Sequence, residues 1–365
     1  MESLRILIVD TYYPAFLTAH YAKHDRLAGA PYEEQWQNLM ATSFGTADSY
    51  SHNLARLGHA AHEIVANCEP LQAAWARERG IKPRRSRFPR LRADEVLVLA
   101  QAEAFEPDVV YCQNLGYLSR RALRVLRRRG ALLAGQIASD MPPSEQLQSF
   151  DFLLTSFPHY VEAFRKLGVP AEYFRIGFDD RVLARLEGAP EATGGVVFAG
   201  SLNRTQHREG NELFERVAQT VPIEFWGHDA TGWEADSPIL RGYKGEAWGL
   251  EMFRVLRRAR VALNRHIPAA NGFANNMRLY EATGVGTVLF TEAKSNLSEL
   301  FEPGEEVVTY TAEEELVAKI RYYLDHEEER RAVARAGQMR TLRDHTYARR
   351  MQELVPLLES ARRTT

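Results

Sequence analysis

Cysteine is almost missing from this 365-residue chain: Cys68 and Cys112 are the only two. That excludes a disulfide framework and a thiolate metal centre, and two thiols fit a reducing cytoplasm. Net charge is nearly missing too. Forty-six basic side chains stand against 48 acidic ones, giving −2, which excludes a surface built as a whole for nucleic acid. No apolar run approaches the roughly 18 residues of a membrane helix. The start, Met1-Glu-Ser-Leu-Arg-Ile-Leu-Ile-Val-Asp10, enters a strand-like run with no basic head and no cleavable apolar stretch. The expectation is a cytoplasmic chain without a transmembrane segment. Several catalytic signatures are lacking as well: a Gly-x4-Gly-Lys-Ser/Thr loop, a His-Glu-x-x-His run among the 11 histidines, and any Asp-x-Asp triplet, Asp179-Asp180 being the nearest pairing. P-loop and zinc-hydrolase chemistry drop out with them.

What is present is ordinary globular composition, 45% apolar and 26% charged, in a chain too long for one core of about 250–300 residues. Short apolar runs alternate with amphipathic stretches. The first half offers strands at Arg5–Asp10, His62–Ala66, Val109–Gln113, Leu132–Ile137, Phe152–Ser156 and Glu172–Ile176. Helical patterns lie between them, Tyr32–Leu57 the longest. The Gly- and Pro-containing stretch 187–195 reads as a linker, after which Val196–Ala199, Ile223–Trp226, Val261–Asn264, Val288–Thr291 and Val307–Tyr310 read as strands. Strands separated by helices imply parallel sheets covered on both faces. The expected fold is α/β with two doubly wound, Rossmann-like domains facing across a cleft. Residues 1–186 form the acceptor-side domain, 187–195 the linker, 196–342 the second domain, and 343–365 a C-terminal helix returning to the first. In such sheets ligands bind outside the carboxyl ends of the strands.

The most informative stretch is Asn275-Asn-Met-Arg-Leu-Tyr-Glu-Ala-Thr-Gly-Val-Gly286. A helix opening at Asn275 presents free N–H groups and its positive end, which suits a diphosphate. Glu281, a turn and a half further in, can accept two hydrogen bonds from a vicinal diol such as a ribose. A plain helix–turn–strand with Asn275 as cap and a solvated Glu281 explains the same spacing. In Gly200-Ser-Leu-Asn-Arg-Thr-Gln-His-Arg208, Gly200 permits close backbone approach, and Arg204, His207 and Arg208 can offer charge to phosphate oxygens. A polar loop that caps a helix is the alternative.

Residues 275–347 resemble the C-terminal domain of CgeB-type glycosyltransferases. The likeness runs from Asn275-Asn-Met-Arg-Leu-Tyr-Glu-Ala282 through Leu300-Phe-Glu-Pro-Gly-Glu-Glu-Val-Val-Thr-Tyr310 to His345-Thr-Tyr347. That family is similar to the large retaining group of GT-B fold, so the resemblance implies a GT-B glycosyltransferase. Its donor would be a nucleotide-diphosphate sugar and its acceptor a sugar, glycan or protein, with no cofactor, no metal, no nucleic-acid partner and retention of configuration. Glu281 matches the second glutamate of the family's Glu-x7-Glu motif, which binds the donor ribose; the first would fall at Ala274. The amides of Asn275, Asn276 and Met277 would hold the diphosphate. Gly200, Ser201, Arg204, His207, Arg208, Asn264, His266 and Arg278 fall in the two donor-binding stretches, and Trp226 and Tyr243 would border the base.

On the acceptor side, Tyr12, Tyr13 and Asn114 stand after strand-like runs, and His20, Asp25 and Asp140 are the candidates for taking a proton from an acceptor hydroxyl. Taken singly, core or domain-interface packing is the better explanation of each aromatic, and Asp140 before Met-Pro-Pro can simply shape a turn. The basic run Arg77–Arg92 reads as a solvated loop, with an anionic acceptor or a membrane surface as the alternatives, and Ser119–Arg129 reads as a solvated helix face. Two other functions stay open: a nucleotide-sugar 2-epimerase, and a nucleotide-sugar-binding protein without catalysis, which Ala274 keeps in play.

Overall fold

A computed structural model describes residues 3–82, 91–204 and 207–364. The chain forms two compact units, one of Met1–Arg175 with Arg350–Thr365 and one of Ile176–Arg349. The division falls at 175/176, ahead of the 187–195 stretch read as a linker. Phe178, Val182 and Leu186 bury their side chains in the second unit's apolar core, with Ala189 packed against it. Gly194 N also donates to Arg258 O at 2.8 Å. Within 187–195 itself no residue is buried, and Ala189 and Gly194 make these two contacts with the second unit.

In the first unit, β1 (Arg5–Asp10), β2 (Ala60–Val65), β3 (Val109–Cys112), β4 (Leu132–Ile137), β5 (Phe152–Thr155) and β6 (Ala171–Tyr173) form a sheet in the order β2-β1-β3-β4-β5-β6. Every pairing is parallel. Ile6, Leu7, Ile8 and Val9 are all buried, as a strand covered on both faces requires. Arg362 Nη2 on the last helix, Tyr347–Thr364, bonds Asp108 Oδ1 at 2.8 Å within this unit.

The second unit repeats the plan with β7 (Val196–Ala199), β8 (Ile223–Trp226), β9 (Tyr243–Gly245), β10 (Val261–Leu263), β11 (Val288–Glu292) and β12 (Val308–Tyr310), in the order β12-β11-β10-β7-β8-β9. Again all pairings are parallel.

One local expectation fails for an identifiable reason, and two further elements lie outside the expected set. The helix expected over Tyr32–Leu57 is two, Tyr32–Met40 and Ser49–Arg56. Between them Ser43, Gly45 and Ala47 take positive φ of 53°, 59° and 43°, which no right-handed helix accommodates. Residues after Tyr13 form a helix, Pro14–Lys23, with proline in its first turn, where the missing N–H costs nothing. Tyr243–Gly245 is an edge strand too short to show an alternation. Of the basic run 77–92, Arg84, Arg85, Arg87 and Arg90 lie outside the described residues.

Candidate functional site

Parallel register sets which residues meet. Leu263 of β10 pairs with Phe198 of β7 and with Phe290 of β11. The residues at or just past these strand ends therefore share one edge: Gly200 and Ser201, Asn264 to His266, and Thr291 and Glu292 at the end of β11. Polar side chains dominate there because the strands stop supplying backbone partners, and the exposed groups must be satisfied by side chains.

Asn276 is the hub. Its Oδ1 caps the helix Met277–Gly284 by accepting from Leu279 N at 3.3 Å. Its Nδ2 donates to Asn264 Oδ1 and to Arg265 O, both at 2.9 Å. Asn264 Nδ2 in turn donates to Thr291 Oγ1 at 3.0 Å, and Tyr310 OH donates to Asn264 O at 2.6 Å. The cap is thus Asn276, where the sequence suggested Asn275. Asn275 is buried and its Oδ1 accepts from Tyr280 OH at 2.9 Å. The free amino-terminal N–H groups of this helix begin at Met277.

Arg265 joins this edge to the loop after β7. It is 8% exposed, and its Nη2 donates to Ser201 O at 2.9 Å and to Asn211 Oδ1 at 2.8 Å. Asn211 passes the contact on, its Nδ2 donating to Asn203 O at 3.0 Å. Its guanidinium lies over the Phe198 ring, 5.3 Å from the centroid. Burial pulls its pKa down to about 10, so it stays cationic at neutral pH. His266 donates its backbone N–H to Glu292 Oε2 at 2.6 Å, and its Nε2 stands 3.3 Å from Thr291 Oγ1. Burial, reinforced by the Lys294 charge, lowers its pKa to about 3, so the ring is neutral.

Glu281 departs from a solvated carboxylate. It is 7% exposed, and its Oε2 pairs with Arg278 Nη1 at 2.8 Å. Burial raises its pKa against the opposing pull of Arg278. Arg278 Nη1 also contacts Met252 Sδ at 3.1 Å. Ala274, where the family's other glutamate would fall, is fully buried, and its N and O bond Asn296 Oδ1 and Nδ2 at 2.6 and 2.9 Å.

The loop after β7 divides the remaining candidates. Gly200 N bonds Trp226 O at 2.9 Å, and a Cβ on Gly227 would stand 1.7 Å from Gly200 O; only glycine permits that approach. Tyr243 OH donates to Gly227 O at 3.0 Å, which ties β9 to the same loop. Arg204 turns aside, donating to Gly232 O at 2.9 Å and lying over Trp233. Arg208 is exposed and bonds Glu212 at 2.9 Å. His207 precedes the helix Arg208–Val217. Trp226 Nε1 donates to Glu224 at 3.2 Å. Gly200, Ser201, Asn264, His266 and Asn276 therefore share one network, which the side chains of Arg204, Arg208 and Trp226 do not enter. Arg265, Asn211, Thr291 and Glu292 belong to it and were not singled out from the sequence. The usable signal was the polar run Asn264-Arg-His266 directly behind an apolar strand.

In the first unit, Tyr12 is buried against Phe16 and Phe44, with centroids at 5.8 and 5.0 Å, whereas Tyr13 is 55% exposed. Asn114 Nδ2 donates to Thr11 Oγ1 at 2.8 Å. His20 is buried, with Nε2 unbonded and its pKa lowered by burial to about 4. Asp25 and Asp140 are exposed. No hydrogen bond or ion pair links His20, Asp25 and Asp140 among the described residues. There is also no grouping of three His, Cys, Asp or Glu suited to a metal among them, and no helix long and apolar enough to cross a membrane.

Comparison with known proteins defines the fold. Residues 204–356 match the family model described as glycosyl transferase-like. No curated protein sequence matches the chain. Solved structures match over its whole length. Sucrose-phosphate synthase from Thermosynechococcus elongatus is 13% identical, with 99% of this chain and 100% of that one covered at a TM-score of 0.60. HepE from Anabaena, in complex with UDP-glucose, is 14% identical, with 98% and 100% covered at 0.60. A glycosyltransferase from Rickettsia africae is 9% identical, with both chains fully covered at 0.62. The chain has the α/β GT-B fold, and most of the stretch that matches the family model lies in its second unit.

Proposed function

We propose that the protein is a glycosyltransferase of the CgeB type. It transfers a sugar from a nucleotide-diphosphate sugar to a sugar, glycan or protein acceptor, without a metal and with retention of configuration, in the cytoplasm. The observation that carries this reading is the Asn276 hub at the carboxyl edge of the second sheet, inside the region that matches the family model. There a buried guanidinium and the amino end of a helix meet one network. When a nucleotide-sugar bond breaks, negative charge gathers on the departing diphosphate. Fixed N–H groups and cations, already oriented and screened from water, stabilise that charge without reorganising. Met277 and Arg278 supply the amides, Arg265 the nearby positive charge, and Glu281 the carboxylate for the ribose once Arg278 shares it. The first unit would hold the acceptor, with Tyr13 offering a ring face.

The UDP-glucose complex of HepE supports UDP as the first probe. Calorimetric titration with UDP and with its 2′,3′-dideoxy analogue tests the site. Glu281→Gln is expected to weaken UDP at least fivefold and leave the analogue unchanged. Equal affinities for UDP in wild type and variant would sink the assignment of Glu281.

A second reading, binding of a nucleotide sugar without transfer, is favoured by one observation: the position of the first motif glutamate is a buried alanine. Product analysis with a mixed acceptor pool separates the two, since donor binding with neither transfer nor hydrolysis supports the second.

A further inference from the structure

The helix Arg120–Arg128 breaks two electrostatic rules. It opens on Arg120 and Arg121 with no acid in its first turn, although the amino end of a helix favours negative charge. Arg120, Arg124 and Arg127 then recur on one face at spacings where like charges repel. The helix holds for other reasons: the Ser119 hydroxyl accepts from Ala122 N at 3.3 Å, and Ala122, Leu123 and Leu126 are buried. Local rules broken without a structural return mark positions retained for something else.

The arginine face opens onto a cavity of about 230 Å³ lined by Arg120, Arg124, Arg127, Glu145, Gln148 and Ser149. One wall is fixed. Arg127 Nε donates to Asp151 Oδ1 and its Nη2 to Ser149 O, both at 2.8 Å, and Gln148 Nε2 donates to Leu167 O at 3.1 Å. Arg120 and Arg124 pair with no carboxylate among the described residues. With Arg127 held by Asp151, the guanidiniums of Arg120 and Arg124 share the cavity with the single carboxylate of Glu145. Asp151, which pins Arg127, also accepts from Leu133 N at 2.9 Å, near the start of β4. The cavity therefore reaches toward the amino edge of the first sheet, away from the strand exits where ligands of the main reaction are expected.

We infer that this cavity is a binding site for a small phosphate-type oxyanion, gripped by Arg120 and Arg124 against the fixed wall of Arg127. Guanidinium forks match the paired oxygens of a phosphate, and the volume suits one phosphate with a small organic group. The inference is independent of the glycosyl-transfer reading.

The test titrates full-length protein, presaturated with UDP, with glycerol phosphate, followed by calorimetry. The wild type is expected to bind, and Arg120→Gln/Arg124→Gln to bind at least tenfold more weakly with unchanged Tm and UDP affinity, since both side chains are exposed. A control, Arg121→Gln/Arg128→Gln, removes the same charge outside the cavity and is expected to keep wild-type affinity. Equal losses in both double variants, or none in the first, overturn the proposal. A parallel arm sediments the protein with phosphatidylglycerol vesicles. Capture by vesicles without binding of free glycerol phosphate also overturns it, by assigning the charge to a lipid surface.

Discussion

A Cβ added to Gly210 would stand 2.1 Å from Arg265 Cδ. Gly210 lies in the helix Arg208–Val217, so one glycine in a helix makes the space through which the guanidinium reaches Ser201 and Asn211. Gly210→Ala gains up to about 1 kcal/mol of helix propensity. Overpacking a filled interior costs about 1–3 kcal/mol. The clash is expected to win, with a Tm lowered by a few degrees and UDP bound several-fold more weakly. Thermal melts and calorimetry check both, and a raised Tm would show that Arg265 relocates freely.

Glu281→Ala is expected to destabilise as well as to weaken nucleotide binding. Removing one partner of a buried ion pair strands the other, at a cost of about 3–5 kcal/mol, and Arg278 would be the stranded charge. Arg278→Met/Glu281→Leu removes both charges and is expected to recover most of the stability without recovering UDP affinity. Urea denaturation of the single and double variants distinguishes these cases.

Two buried carboxyls make stability depend on pH. Burial raises Asp10 from 3.8 to about 7 and Glu63 from 4.5 to about 8. The folded state therefore holds their protons more tightly than the unfolded chain. Their contribution is complete below the unfolded values and is lost as pH climbs through the folded ones. Glu63 Oε1 accepts from Ser51 N at 2.8 Å, a bond glutamine keeps, while its Oε2 has no partner. Glu63→Gln should melt like the wild type near about pH 5 and above it near about pH 8, the gap growing by at most about 1.4 kcal/mol per pH unit. Parallel melting curves at both pH values would refute this.

Asn276→Ala removes a helix cap and the tie between Asn264 and Arg265. The cap alone is worth about 0.5–2 kcal/mol, and Asn276→Asp, which keeps the capping oxygen but loses the Nδ2 donor, should recover only that share. UDP affinity is expected to fall in both. Full binding in the aspartate variant would mean that the Nδ2 bonds do not shape the site.

How far the sequence could be read depended on range. Parallel strands buried on both faces announce themselves as apolar runs, and Arg5–Asp10, Leu132–Ile137, Val196–Ala199 and Ile223–Trp226 keep their expected bounds in the structure. The break at 41–48 was hidden because Ser43 and Ala47 adopt left-handed backbone that their side chains do not advertise. At the site, the polar residues behind β10 were visible, but which of them mattered was not. Arg265 finds Ser201 and Asn211 more than fifty positions away, and no local pattern encodes such a pairing. Glu281 was legible as a position and misread as an environment, because its partner Arg278 sits one turn back on the same buried face.

Ala274 has a last consequence. Its methyl group is sealed in the apolar core, and the Asn296 amide clasps its backbone from both sides. A glutamate introduced there would set a carboxylate among hydrocarbon. Placing an acidic side chain at this position would require the surrounding packing to be rebuilt first. Any sugar this protein handles must be gripped by other hands.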